Sequence, residues 1–184
     1  MKYILPANLA LLGFLDVFDK SQEVCGSYQI KGKSLISANC FNGTMEDGRY
    51  YCQRNIDTIT PVTYHTHICE SPGYPSYEDL VTLIEEDKYI DIIYTCWGIW
   101  VVKLIGTIEP NKKYIEEILH RDVSPFNNGI DKLKLPTKRV MNAINTFISL
   151  MRKNNYSIKF YTWGELGNVY ITLPDNIAHR LKKN

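Results

Sequence analysis

Ile56-Asp57-Thr58-Ile59-Thr60-Pro61-Val62-Thr63-Tyr64-His65-Thr66-His67 is the stretch that decides the reading of this chain: β-branched and aromatic residues fill it, and two histidines close it. Such residues suit a pleated, buried strand, so 56–67 is predicted to be a central strand. In a strand, side chains at i and i+2 share a face, which points both imidazoles toward one place. Downstream, Ser71-Pro72-Gly73 marks a loop and Ser76 opens a predicted helix over 77–87 with Leu80, Leu83 and Ile84 as its buried stripe. Upstream, residues 23–30 and 34–41 read as a hairpin turning at Lys31-Gly32-Lys33.

Further out the signals are periodic but less specific. Pro6 suits a first helical turn, and Leu9, Leu12, Phe14, Leu15 and Phe18 follow at helical spacing up to Lys20. The apolar run Ile4 to Leu15, interrupted or closed by Pro6, Asn8 and Asp16, is too short for a membrane span and lacks a small-residue cleavage site after a basic leader, so it reads as a buried helix and not a signal peptide. Asn42-Gly43 and Asp47-Gly48 announce a loop region. Residues 90–96 and 99–105 are dense apolar strands around Trp97-Gly98. Beyond Gly106, 112–120 reads as a short helix and 121–136 as a long loop. An amphipathic helix follows over 137–154, with Val140, Ile144, Phe147, Ile148 and Met151 on one face. Residues 156–163 and 168–173 suggest a last hairpin.

Composition narrows the class of partner. The 184 residues are 45% hydrophobic and 22% charged, values of an ordinary globular protein. A net charge of +1 gives no global field that would draw in nucleic acid or an anionic membrane. Five cysteines, an odd number without a Cys-x-x-Cys pair, argue against a disulfide framework and for a reducing, cytoplasmic setting.

The chemistry rests on Glu23, His65, His67, Ser76 and Asp79. Two imidazoles and a carboxylate leave the fourth tetrahedral position of zinc to water, the arrangement of a hydrolytic site. His65, His67 and Asp79 are therefore the expected ligands of one Zn2+ per chain. Glu23 would take the proton of the attacking water, and Ser76 would donate to the developing oxyanion, a contact worth about 3 kcal/mol in related chemistry. Each residue also has a plainer role. Ser76 with Asp79 is a helix-capping pattern, the histidines could be satisfied strand residues, and Glu23 could be a surface charge. Their joint occurrence in this order favours the site. Cys25 and Cys69 stay unassigned, His120 beside Glu116 and Glu117 reads as a solvated face, and Trp97 and Trp100 read as core.

In order and spacing, these residues resemble the JAMM (MPN-plus) zinc metallopeptidase family, whose signature runs Glu, then His-x-His, then Ser-x-x-Asp. Glu23-Val24-Cys25-Gly26 is similar to that family's Glu-x-x-Gly strand start, and Pro75-Ser76 to its Pro-Ser before the helix. The segment between His67 and Ser76 is one residue longer than the family's, with Ile68 where a proline is common. The resemblance covers about residues 5–106. It implies an α/β fold: a cytidine-deaminase-like curved mixed sheet flanked by helices, the JAB/MPN domain, with 107–184 as a C-terminal helix and β-hairpin extension packed on it. It further implies a zinc-dependent isopeptidase of deubiquitinase type acting on ubiquitin or ubiquitin-like conjugates. The short span from Glu23 to His65 keeps open a processing peptidase for small ubiquitin-like sulfur carriers. A non-catalytic MPN-type scaffold that dimerises or docks in a larger assembly is the alternative from another class.

Overall fold

The computed structural model describes residues 1–5, 23–42, 44–46, 49–51, 60–67, 73–95, 97–105, 113, 117, 138–163 and 169–182. In chain order the elements are β1 (Lys2–Leu5), β2 (Val24–Lys31), β3 (Ser34–Asn42), β4 (Thr44–Glu46), β5 (Arg49–Tyr51) and β6 (Val62–Thr66). They continue as α1 (Tyr77–Glu85), β7 (Ile90–Thr95), β8 (Gly98–Leu104), α2 (Lys138–Lys153), β9 (Tyr156–Thr162), β10 (Val169–Thr172) and α3 (Asp175–Lys182).

Eight strands form one mixed sheet in the order β10-β1-β3-β2-β6-β7-β8-β9, and β4 and β5 pair by themselves. The sheet is nearly closed, since its two edge strands contribute Lys159, Tyr161 and Tyr170 to one cleft. Parallel pairing joins β6 to β7, with α1 as the crossover between them. Alternation along the strands sorts the side chains into two cores. On one face Tyr64, Ile92, Tyr94 and Val101 pack with Ile177, Ala178 and Leu181 of α3. On the other, Ile93, Trp100, Val102 and Ile158 pack under Leu80 and Leu83 of α1 and Ile144, Phe147 and Met151 of α2. His65 lies on this second, helix-covered face, opposite Ile93 in the ladder.

β2, β3, α1, β7, β8 and α2 fall where the sequence puts them, within a few residues, whereas β6 is shorter than the predicted strand 56–67: it begins at Val62, and residues 56–59 lie outside the described residues. Other features differ. Ile4 and Leu5, expected at the start of a buried helix, belong instead to the strand Lys2–Leu5, and the Met1 ammonium donates to Leu173 O at 2.7 Å. The remainder of that predicted helix, the predicted helix 112–120 except residues 113 and 117, and the loop 121–136 lie outside the described residues. The loop region after Asn42 contains the short β4/β5 ladder.

The last two strands do not pair with each other. β9 pairs with β8, and β10 pairs with β1 in the register Lys2↔Thr172 to Leu5↔Val169. Strand alternation specifies which face a strand buries and not which neighbour it takes, so a hairpin and two separate edges read alike in sequence. α3 was not anticipated; it buries Ile177, Ala178 and Leu181. Residues beyond 106 thus contribute to both cores. Among the described residues, no helix is long and apolar enough to cross a membrane.

Candidate metal centre

The site forms where the C-terminal end of β6 meets the start of α1. Cys25 on β2 faces His65 on β6, and continuing that antiparallel register sets Val24 opposite Thr66. The Val24 amide donates to Thr66 Oγ1 at 2.8 Å, which ties the beginning of β2 to the end of β6. Glu23, two residues from Cys25, therefore shares the face of His65. His67 follows the strand and is held by its own amide, which donates to Tyr94 O at 2.8 Å.

Asp79 arrives from the first turn of α1, whose N-cap is Ser76. The Asp79 amide donates to Ser76 Oγ at 3.1 Å, and the Ser76 amide donates to Asp79 Oδ2 at 2.6 Å, a reciprocal capping box. The structural role weighed for these two residues is thus realised, and the same contacts aim the carboxylate at the histidines. The longer loop before Ser76 does not turn it away, because the end of that loop is pinned from behind. Trp100 Nε1 donates to Gly73 O at 2.7 Å. A Cβ on Gly73 would stand 2.5 and 2.6 Å from two atoms of the Trp97 ring, so only glycine lets the backbone pass so close. Further along, Tyr156 Oη donates to Leu80 O at 2.9 Å and holds the helix against β9.

The donors converge. His65 Nε2 lies 3.1 Å from His67 Nε2 and 3.1 Å from Asp79 Oδ1, and His67 Nε2 lies 3.2 Å from Asp79 Oδ2. One ligand atom from each of the three residues falls within 4.8 Å of the others, so this group could hold a metal ion. The two imidazoles approach different oxygens of the Asp79 carboxylate, His65 toward Oδ1 and His67 toward Oδ2. Both imidazoles are buried, at 7% and 6% exposure, and a buried cluster of this kind needs a proton or a cation to balance it.

The electrostatics say the same. Burial by itself would push His65 down, but the Asp79 and Asp91 carboxylates reverse this and hold it at about 10. His67 is raised too, with burial again outweighed by Asp79. Asp79 is held well below the usual carboxylate range: burial opposes this, and the two imidazoles prevail. Burial pushes the Glu23 carboxyl up, against the opposing pull of His67 and His65.

All five residues singled out from the sequence are described; His65, His67 and Asp79 meet directly, Ser76 braces Asp79, and Glu23 interacts electrostatically with all three. Asp91 was missed. Its Oδ2 lies 3.2 Å from His65 Nδ1, on the side of the ring away from Asp79, and its Oδ1 accepts from Thr63 Oγ1 at 2.7 Å. A signal existed, for Asp91 is the one charged residue in the apolar run 90–96. Thr66 was also passed over, since a threonine in a strand is ordinary.

Cys25 corrects another expectation. It is fully buried and disulfide-bonded, so it supplies no thiolate to a metal. An odd cysteine count excludes only complete pairing, and a bonded Cys25 tells against reading the cysteines as those of a reducing, cytoplasmic protein. Trp97 and Trp100 are buried as expected, at 7% and 0% exposure. Trp163 stacks on Tyr94 and donates to Thr95 O at 3.0 Å. His179 is exposed on α3, and His120 lies outside the described residues.

Comparison with protein-family models, with curated proteins and with solved structures found no match.

Proposed function

We propose that this chain is a zinc-dependent metallo-isopeptidase of the JAMM type, with a JAB/MPN fold, that hydrolyses ubiquitin or ubiquitin-like conjugates. One observation carries the reading: His65 of β6, His67 just after it and the first-turn Asp79 of α1 come together at their donor atoms, with Glu23, the residue before β2, interacting electrostatically with all three. His65, His67 and Asp79 would hold the zinc. When bound, the metal supplies Lewis acidity, polarising a carbonyl and bringing the pKa of a water down to about 7.

The chain's own groups do the rest. The Glu23 carboxylate takes a proton from the water as its oxygen adds to the scissile carbonyl carbon. It then passes that proton to the leaving lysine amine as the C–N bond breaks. Ser76 Oγ accepts from the Asp79 amide, which leaves its own O–H to donate to the carbonyl oxygen as that atom gains negative charge. The low exposure of both histidines limits competing water.

The test has two parts. Purified protein is expected to carry about one equivalent of zinc, as an uncomplicated three-ligand site should. A panel of ubiquitin and ubiquitin-like conjugates, including small sulfur carriers, is then incubated with and without a zinc chelator. Cleavage abolished by the chelator and by Glu23→Gln, with zinc retained in that variant, supports the reading. Zinc-loaded protein that cleaves nothing in the panel would favour an MPN-type scaffold, and turnover unchanged in Glu23→Gln would remove Glu23 from its role.

A further inference from the structure

His65 has two ring nitrogens, and they face different things. Nε2 points at Asp79 and His67, and Nδ1 points at Asp91, whose Oδ2 lies 3.2 Å away. Asp91 is 1% exposed, and Thr63, at 2%, donates its hydroxyl to the other carboxylate oxygen at 2.7 Å. The ladder explains the placement: Thr63 and Asp91 are direct partners across the parallel β6/β7 pair, and His65 lies two residues further along the same face. A carboxylate buried this deeply in an apolar strand is expensive unless a charge or strong donors meet it. Folding has nevertheless put it behind one metal-binding imidazole, on a rigid strand.

We propose that Asp91 is a positioning residue for the metal centre. By accepting from Nδ1–H it fixes His65 in the tautomer and ring orientation that present Nε2 to the cation, and Thr63 fixes Asp91. A neutral imidazole has one protonated and one free nitrogen, so a partner that claims the proton at Nδ1 leaves Nε2 as the donor. Its charge also makes the imidazole a better ligand, and outer partners of this kind typically matter 10–100-fold in metal affinity. The inference rests on the reading that His65, His67 and Asp79 bind zinc, but it concerns affinity and not turnover.

Zinc affinity is measured by competition with a chromogenic chelator on the full chain, alongside melting temperatures with and without zinc. Asp91→Ala is expected to weaken zinc by about 10–100-fold. Asp91→Asn keeps an acceptor oxygen and should lose less, while Thr63→Val should weaken zinc and Thr63→Ser should restore it. Nitrogen-15 spectra of the zinc-loaded parent should show His65 protonated at Nδ1 and bound through Nε2. A merely structural Asp91 would lower the zinc-free melting temperature and leave the affinity of the folded protein untouched.

Should Asp91→Ala fail to fold, Asp91→Asn and Thr63→Val carry the measurement. Parent and variants binding zinc within about twofold of each other, or His65 bound through Nδ1, would overturn the role of Asp91 and leave the metal site standing. A parent that binds no zinc would overturn both.

Discussion

Zinc binding to this site should release protons and strengthen with pH, because a metal and a proton compete for the same imidazole nitrogen. His65 is held at about 10 by Asp79 and Asp91 against the opposing effect of burial. At neutral pH the ring of metal-free protein therefore carries a proton that a metal must displace. Zinc affinity should then rise about tenfold per unit between pH 6 and 8 from this proton alone, and raised His67 steepens the slope. The stability of metal-free protein runs the other way. A raised histidine stabilises the fold fully below its unfolded value of about 6.5, and that contribution fades as pH climbs toward 10. Lowered Asp79 contributes above about 3.8 and loses its effect as pH falls. Metal-free protein should thus weaken on the alkaline side while the increment in melting temperature produced by zinc grows. Calorimetric titration with zinc in two buffers of different ionisation heat counts the protons directly at pH 7. A count of zero, with affinity flat from pH 6 to 8, would refute the coupling of these imidazoles to the carboxylates.

Two further substitutions probe how the site is held. Gly73→Ala drives a methyl into the Trp97 ring at about the 2.5 Å separation, so the loop end must move. A stability loss of about 1–3 kcal/mol in denaturant unfolding, together with weaker zinc binding, is expected; zinc affinity equal to the parent's would mean that the loop does not position Asp79. Thr66→Val keeps the shape of the side chain but strands the Val24 amide, at a cost of about 1–3 kcal/mol in the same assay. It should also slow conjugate cleavage while leaving zinc in place, since it frees the strand start that carries Glu23; a variant with full turnover would detach Glu23 from that tether.

Much of the centre could be read directly from the chain because it depends on short-range periodicity. Alternation puts His65 and His67 on one face, and the Ser76-to-Asp79 spacing is a helix start whether or not a metal is present. The same reasoning misled at the ends. An apolar alternation at 156–163 and 168–173 names two strands and is silent on their partners, and the short strand at 2–5 is hidden inside a longer apolar run.

The sequence by itself therefore determined the donor types, their order and the faces they occupy, all consequences of backbone repeat lengths. Only the tertiary structure decided that Asp79 still reaches the histidines across a lengthened loop, because Trp100 from a distant strand grips Gly73. It also decided that Asp91 backs His65, since parallel pairing of β6 with β7 sets the register between residues 28 apart that no local pattern connects.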